Sequence, residues 1–138
     1  VEIMSDIDIR LLTGPELLTG STRLKAGTAT KMTLNIISTI VMVKLGKVYG
    51  NKMIDLSVTN TKLLDRGIRI LHDIANIERS RAIYLLNVTN GSVKLSLLMA
   101  LSGLELRQAQ TLLDENHQDL RESIAQAFSK NSSGKNKY

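Results

Sequence analysis

A repeat of 27 residues in the second half of the chain restricts the fold more than any other feature. Residues 78–101 align without gaps on residues 105–128. Each copy has helically spaced apolar residues that end in a Leu-Leu pair, then a polar turn and a second helix. Two copies that bury their faces on each other predict a compact four-helix piece, not a solenoid. The identical pairs are Glu78/Glu105, Ala82/Ala109, Leu85/Leu112, Leu86/Leu113, Ser96/Ser123 and Ala100/Ala127.

The first half of the chain has a different pattern. Residues Ile7–Leu11 alternate strictly between apolar and polar, which predicts a strand with one buried face. A glycine-punctuated loop follows, and then a helix from about Thr22 to Lys44 or Gly46. That helix is apolar on several sides, so we expect it to be covered on several sides. A lone strand needs a partner for its backbone groups, so we expect this region to belong to a sheet of a longer protein.

Another helix is predicted between these two parts, over about Thr61–Ala75. Thr59 or Asn60 is its expected N-cap. The two histidines, His72 and His117, have no metal-ligand spacing around them. We expect a partly buried structural His72 and a solvated His117.

Composition excludes several classes of protein. Without cysteine the chain has neither disulfides nor thiolate metal sites. Three tyrosines, one phenylalanine and no tryptophan are poor support for base stacking, and three of the five net positive charges come from Lys130, Lys135 and Lys137. We therefore predict no nucleic-acid partner. The most apolar run, residues 34–43, is shorter than the roughly 20 residues of a membrane span, so no membrane partner is predicted either.

The loop before the long helix is the best candidate for a binding site. Ser21 or Thr22 is placed to cap the helix, because a hydroxyl there accepts a bond from a backbone N–H one turn on. Arg23 and Lys25 add positive charge where the helix dipole is already positive, which predicts an anion site suited to phosphate. The alternative is a well-capped helix with two solvated cations.

Several other polar residues leave two interpretations open. Glu16 either faces a sugar hydroxyl or a partner subunit, or it holds Arg23 or a backbone N–H. Asn51, Asp55, Asn60 and Lys62 either complete a pocket or pin the crossing chain, and turns favour the structural interpretation.

The stretch Thr13–Lys31 closely resembles the signature of the N-acetylmuramic acid 6-phosphate etherases, a sugar-isomerase-type (SIS) phosphosugar family that includes the glucokinase regulatory proteins. The similarity continues through Leu34–Thr39 and Lys44–Asn51, is strong to about Leu71 and is weaker to Phe128. The resemblance implies a mainly α chain that carries the last strand and long helix of an α/β SIS domain and then a small helical domain. Separately, the middle three helices of the repeat, with residues 101–104 as a joint, resemble the ubiquitin-associated (UBA) fold. The implied divisions are residues 1–46 for the SIS part, 47–76 for a connecting loop and helix, 77–128 for the UBA-like domain, and 129–138 for a disordered tail.

The same resemblance implies a cytoplasmic, homodimeric carbon–oxygen lyase that needs neither metal nor organic cofactor. Its partner would be an amino-sugar phosphate, bound here by Glu16, Ser21, Thr22, Arg23 and Lys25. The family's catalytic acids lie before the stretch matched here, so we expect no catalytic residue in this chain and no activity from it alone. Two alternatives remain: a non-catalytic phosphosugar sensor that acts through a protein partner, and a helical interaction module whose partner docks on the repeat.

Overall fold

The computed structural model describes residues 5–134, and the side chains of residues 5–130. The described residues are mainly helical, which confirms the predicted fold class. The chain divides into two compact units, Val1–Val41 and Met42–Tyr138. A short antiparallel hairpin, β1 (Val48–Tyr49) and β2 (Lys52–Met53), pairs Val48 with Met53 and Tyr49 with Lys52. The helices are α1 (Lys25–Lys44), α2 (Thr61–Ala75), α3 (Arg79–Val88), α4 (Val93–Ser102), α5 (Leu106–Glu115) and α6 (Leu120–Gly134).

The strand predicted over Ile7–Leu11 is not formed. These residues have no regular secondary structure, and the side chains of Ile7 and Ile9 are exposed. No strand among the described residues pairs with them, and a strand without a partner has no ladder hydrogen bonds to hold it. An alternating pattern therefore indicates which side chains of a strand would be buried, but strand formation also needs a hydrogen-bonded partner strand.

Helix α1 begins at Lys25, three residues later than predicted, and none of its side chains is buried. The expectation that it is covered on several sides is therefore not met among the described residues. Its 20 residues are long and apolar enough to cross a membrane by length and composition alone, but the core helix of a soluble protein passes the same test. Its exposed apolar residues include Met32, Leu34, Ile36, Ile37, Ile40 and Val41.

Helix α2 has the predicted bounds and one of its two predicted caps. The side chain of Asn60 accepts a hydrogen bond from the backbone N–H of Leu63 at 2.9 Å. His72, near the end of the helix, is exposed and not partly buried; its Nδ1 lies 3.0 Å from the carbonyl oxygen of Ile77. His117 is exposed in a turn, as predicted.

The sequence repeat is confirmed as a structural repeat. Helices α3 and α5 are both 10 residues long and begin 27 residues apart, as do α4 and α6. The equivalent residues Ser92 and Asp119 cap α4 and α6 by accepting backbone N–H groups. Helix α6 continues to Gly134, so residues 129–134 are helical and the predicted disorder of the tail is wrong there; residues 135–138 lie outside the described residues.

Helix α4 is the centre of the helical unit and contacts α2, α3, α5 and α6. Its residues 93–98 are all buried, because a helix surrounded on all sides has no solvent face. The buried hydroxyl of Ser96 is satisfied by Thr89 Oγ1 at 2.7 Å and by the carbonyl of Ser92 at 2.8 Å. Buried polar groups need such partners, and these two bonds tie the α3–α4 turn to the core.

The crossing segment, residues 45–60, joins α1 to α2 and is held by Lys94 and Arg121, which occupy equivalent positions in the two copies of the repeat. The buried ammonium of Lys94 donates to the carbonyl of Gln118 at 3.0 Å and lies 3.6 Å from Asp55 Oδ1. Lys47 lies 2.8 Å from the other oxygen of Asp55, and its hydrogen bond holds the pKa of that carboxyl below its usual value. Arg121, the equivalent of Lys94, lies over the ring of Tyr49 at 5.2 Å. Asp55 thus has the structural role that its position in the sequence favours.

Candidate functional site

The loop before α1 is closed by the carboxylate of Glu16. Its Oε2 accepts a hydrogen bond from the backbone N–H of Lys25, and its Oε1 accepts one from Ala26, each at 2.9 Å. Of the two interpretations of Glu16, the structure shows the one in which a loop acid holds backbone N–H groups. The hydrogen bond from Ala26 is the largest cause, and that from Lys25 the next, of a pKa of Glu16 below its ordinary value. The carboxylate therefore stays charged at neutral pH.

Glu16 therefore caps the N-terminus of α1, the role that was expected of Ser21 or Thr22. A carboxylate is the stronger acceptor at the positive end of a helix, because it carries full charge and offers two oxygens. The backbone of Ser21 instead donates to the carbonyl of Leu18 at 2.9 Å, and that of Thr22 donates to Gly20 at 3.0 Å. The loop thus contains a tight turn whose hydroxyl side chains do not cap the helix.

The other predicted binding residues lie together on this loop. Thr22, Arg23 and Lys25 are exposed and Ser21 is half-buried. Within the part of the chain that the structure describes, their hydroxyl, guanidinium and ammonium groups make no hydrogen bond or ion pair. Four groups that bind oxyanions well are therefore available to a ligand, and their contact with a phosphosugar stays a prediction.

An open groove of about 510 Å³ runs from Thr22 along the first turns of α1. Lys31 and Asn35 line it one and two helical turns beyond Gly27, which also lines it. These two residues are not among those predicted from the sequence for the site, although their spacing of four places them on one helix face with Gly27. The groove adds a cation and an amide to the side chains of the loop.

Two acids near the α5–α6 turn, Asp114 and Asp119, have structural partners. Asp114 accepts hydrogen bonds from the side chains of Gln110 and Gln118, at 3.1 and 2.7 Å. Asp119 caps α6. No group of three or more His, Cys, Asp or Glu side chains that could hold a metal occurs among the described residues. Oxyanion binding at the loop therefore stays the prediction for this chain.

The chain is similar to known proteins over most of its length. The family described as the C-terminal lid domain of glucokinase regulatory protein matches residues 50–94, which include most of the crossing segment and all of α2 and α3. The N-acetylmuramic acid 6-phosphate etherase of Prochlorococcus marinus (strain NATL1A) is 66% identical over 120 residues, 87% of this chain and 39% of the relative. The etherase of Crocosphaera subtropica is 60% identical over 124 residues, 90% of this chain and 41% of the relative.

The identity is higher still over a shorter stretch. The etherase of Prochlorococcus marinus (strain NATL2A) is 75% identical over 99 residues, 72% of this chain and 32% of the relative. The chain spans about two fifths of the length of the first two relatives, and the match to a C-terminal lid domain is consistent with a C-terminal portion. By its sequence, the chain belongs to the N-acetylmuramic acid 6-phosphate etherase family.

Proposed function

We propose that the protein containing this chain is a carbon–oxygen lyase that cleaves the D-lactyl ether of N-acetylmuramic acid 6-phosphate. The products are N-acetylglucosamine 6-phosphate and D-lactate, the chemistry of cell-wall sugar recycling. The observation that carries the proposal is the 66% identity over 120 residues to a protein named as this etherase. Neither a metal nor an organic cofactor takes part, and the enzyme works in the cytoplasm as a homodimer.

This chain supplies part of the substrate pocket and its cover. Residues 16–26 bind the phosphosugar through Ser21, Thr22, Arg23 and Lys25, and α1 is a core helix of a SIS domain. The uncovered apolar surface of α1 supports that role, since soluble proteins rarely leave such a surface open to water. The UBA-like helical unit serves as a lid domain, a role supported by the match of residues 50–94 to a C-terminal lid domain, and it has no role in ubiquitin binding.

The test is D-lactate release from N-acetylmuramic acid 6-phosphate. The full-length protein is expected to release D-lactate, and the 138-residue chain alone is expected to release none, because the acids that abstract and donate protons lie outside it. A coupled assay with D-lactate dehydrogenase measures both. D-lactate from the chain alone, above a control without protein, would place the active site within this chain.

A second candidate function is phosphosugar sensing without catalysis, in which a sugar phosphate shifts a protein–protein equilibrium. The match of residues 50–94 to a lid domain of glucokinase regulatory protein favours it. The two functions separate in one experiment: a sensor binds N-acetylglucosamine 6-phosphate without turning over the muramic acid substrate, and an etherase does both.

Arg23 tests the binding role of the loop. Arg23→Ala in the full-length protein is expected to weaken binding of N-acetylglucosamine 6-phosphate by about 1.5–3 kcal/mol, the range for a hydrogen bond to a charged group. Arg23→Lys is expected to recover only part of this, because a lysine lacks the planar fork that binds two oxygens. Titration calorimetry measures the affinity.

A melting curve of the same variants provides the structural control. The exposed guanidinium of Arg23 has no partner among the described residues, so its removal leaves the melting temperature unchanged. Arg107→Ala, at an exposed arginine of α5, is the matched control and leaves the affinity unchanged. Normal affinity in Arg23→Ala, or a large fall in its melting temperature, would assign Arg23 to packing instead.

A further inference from the structure

The cap of α1 differs from the other caps of this chain in its reach. Asn60, Ser92 and Asp119 accept N–H groups that follow them by two or three residues. Glu16 accepts N–H groups that follow it by nine and ten residues. Its two bonds therefore do two things at once: they cap the helix, and they join the ends of the loop formed by residues 17–24.

The loop has little else to hold it. Two of its three leucines, Leu17 and Leu18, are 90% and 60% exposed and the third, Leu24, is half-buried, so burial of apolar surface does little to fix its path. Apart from Glu16, its ties are backbone bonds, of which the one from Gly27 to the carbonyl of Thr22 is the shortest at 2.8 Å. Loss of the Glu16 carboxylate would leave the loop with a much larger set of conformations.

The side chains proposed to bind the phosphosugar lie on this closed loop. Because Glu16 caps the helix, the hydroxyls of Ser21 and Thr22 are not used as caps. The same carboxylate occupies the N–H groups of Lys25 and Ala26, which are otherwise the natural place for an anion at a helix start. A phosphate is thus directed to the loop side chains, away from the axis of α1.

We propose that Glu16 is a positioning residue: its carboxylate fixes the 17–24 loop so that Ser21, Thr22 and Arg23 meet the phosphosugar, and it does not itself contact the ligand. This inference rests on the proposed function. It replaces the direct contact between Glu16 and the sugar that the resemblance implies with an indirect role. A pre-ordered loop binds more tightly because less conformational freedom is lost when the ligand arrives.

The first experiment measures KM and kcat of the full-length protein for N-acetylmuramic acid 6-phosphate. Glu16→Gln keeps the shape of the side chain but loses the charge and one acceptor oxygen. It is expected to raise KM about tenfold, equivalent to one weakened charged hydrogen bond, with kcat within about twofold of normal. Glu16→Asp keeps the carboxylate on a shorter stem and is expected to recover part of the loss.

Asp119→Asn is the matched control for these variants. Asp119 also accepts two consecutive backbone N–H groups at a helix start, but it closes no loop. Its replacement is expected to lower the melting temperature and leave KM unchanged. The proposal is overturned if Glu16→Gln lowers only kcat, which would make Glu16 catalytic. It is also overturned if KM falls, which would make the carboxylate a competitor of the phosphate, or if only the melting temperature changes.

A second experiment keeps this inference separate from the proposed function. Amide hydrogen exchange of the full-length protein without ligand is expected to be faster over residues 17–26 in Glu16→Gln than in the unaltered protein, by at least about tenfold at Lys25 and Ala26. Exchange at the start of α6 is expected to stay unchanged. If the unaltered protein releases no D-lactate, the etherase function fails, and the exchange result still decides whether Glu16 closes the loop. Equal exchange in both proteins would overturn the inference.

Discussion

Gly91→Ala is expected to lower the free energy of unfolding of the helical unit by about 3 kcal/mol, the sum of backbone strain and a steric clash. Gly91 has a φ of +82°, a conformation that costs every residue with a Cβ atom. A Cβ atom built there lies 2.9 Å from the backbone nitrogen of Val58 and 3.1 Å from its carbonyl oxygen. Backbone atoms cannot rotate away as a side chain can, so the two segments must separate.

The separation would break the join between the crossing segment and the repeat. Val58 donates to the carbonyl of Gly91 at 3.0 Å, and Val93 donates to Leu56 at 3.4 Å. Ser57 and Ser92 form an antiparallel bridge between the same two segments. The steric cost therefore falls on the contact that fixes the segment before α2 against the α3–α4 turn.

Gly103→Ala is the matched control for Gly91→Ala. Gly103 ends α4 with a φ of +72°, but a Cβ atom there meets nothing within 4 Å. Only the conformational cost of about 1 kcal/mol remains. Urea unfolding followed by far-ultraviolet circular dichroism measures both variants. Equal losses would show that strain, and not the close approach of Val58, limits position 91.

Leu97→Ala is expected to lower the free energy of unfolding by about 3–4 kcal/mol, within the range found when a large core side chain is truncated to alanine. Leu97 is 0% exposed and lies in the middle of α4, which is packed by four other helices. Such a site has little room to collapse around the lost atoms. The cavity therefore adds its own cost to the lost burial of the side chain.

Leu34→Ala, the same change on α1, provides the comparison. Leu34 is 59% exposed, so its truncation in this chain is expected to cost less than about 0.5 kcal/mol. Urea titration of the two variants, followed by the same dichroism signal, measures the difference. A small effect of Leu97→Ala would mean that the helical unit does not have the packed centre described here.

The repeat made the second half of the fold predictable from sequence. Helical spacing, Leu-Leu pairs and equivalent turns are local signals, and the positions of Ser92 and Asp119 as caps follow from residue type alone. The strand over Ile7–Leu11 was mispredicted because its order depends on partner strands that the described chain does not supply. Local pattern states a preference, and long-range pairing decides the outcome.

In the candidate site too, residues that follow a local rule were predicted, whereas contacts between residues distant in sequence were not. Ser21, Thr22 and Arg23 were selected from the sequence because hydroxyls and cations before a helix follow a local rule; their binding role stays a prediction, and the cap predicted at Ser21 or Thr22 is wrong. The bond from Glu16 to Lys25 and Ala26 spans nine and ten residues, so no local rule selects it over a hydroxyl cap. The buried Lys94 was missed for a related reason: its partners Gln118 and Asp55 come from distant segments, and its spacing in α4 resembles that of any surface lysine.

The contact of Arg121 with Tyr49 has a consequence for spectroscopy. The chain has no tryptophan, so its near-ultraviolet signal comes mainly from three tyrosines. Tyr84 lies under Arg81 of its own helix and reports only on α3, whereas Tyr49 joins the hairpin to the start of α6. In a background that carries both Tyr84→Phe and Tyr138→Phe, the near-ultraviolet circular dichroism of the Tyr49 ring becomes a built-in optical reporter of whether the hairpin stays docked on the repeat.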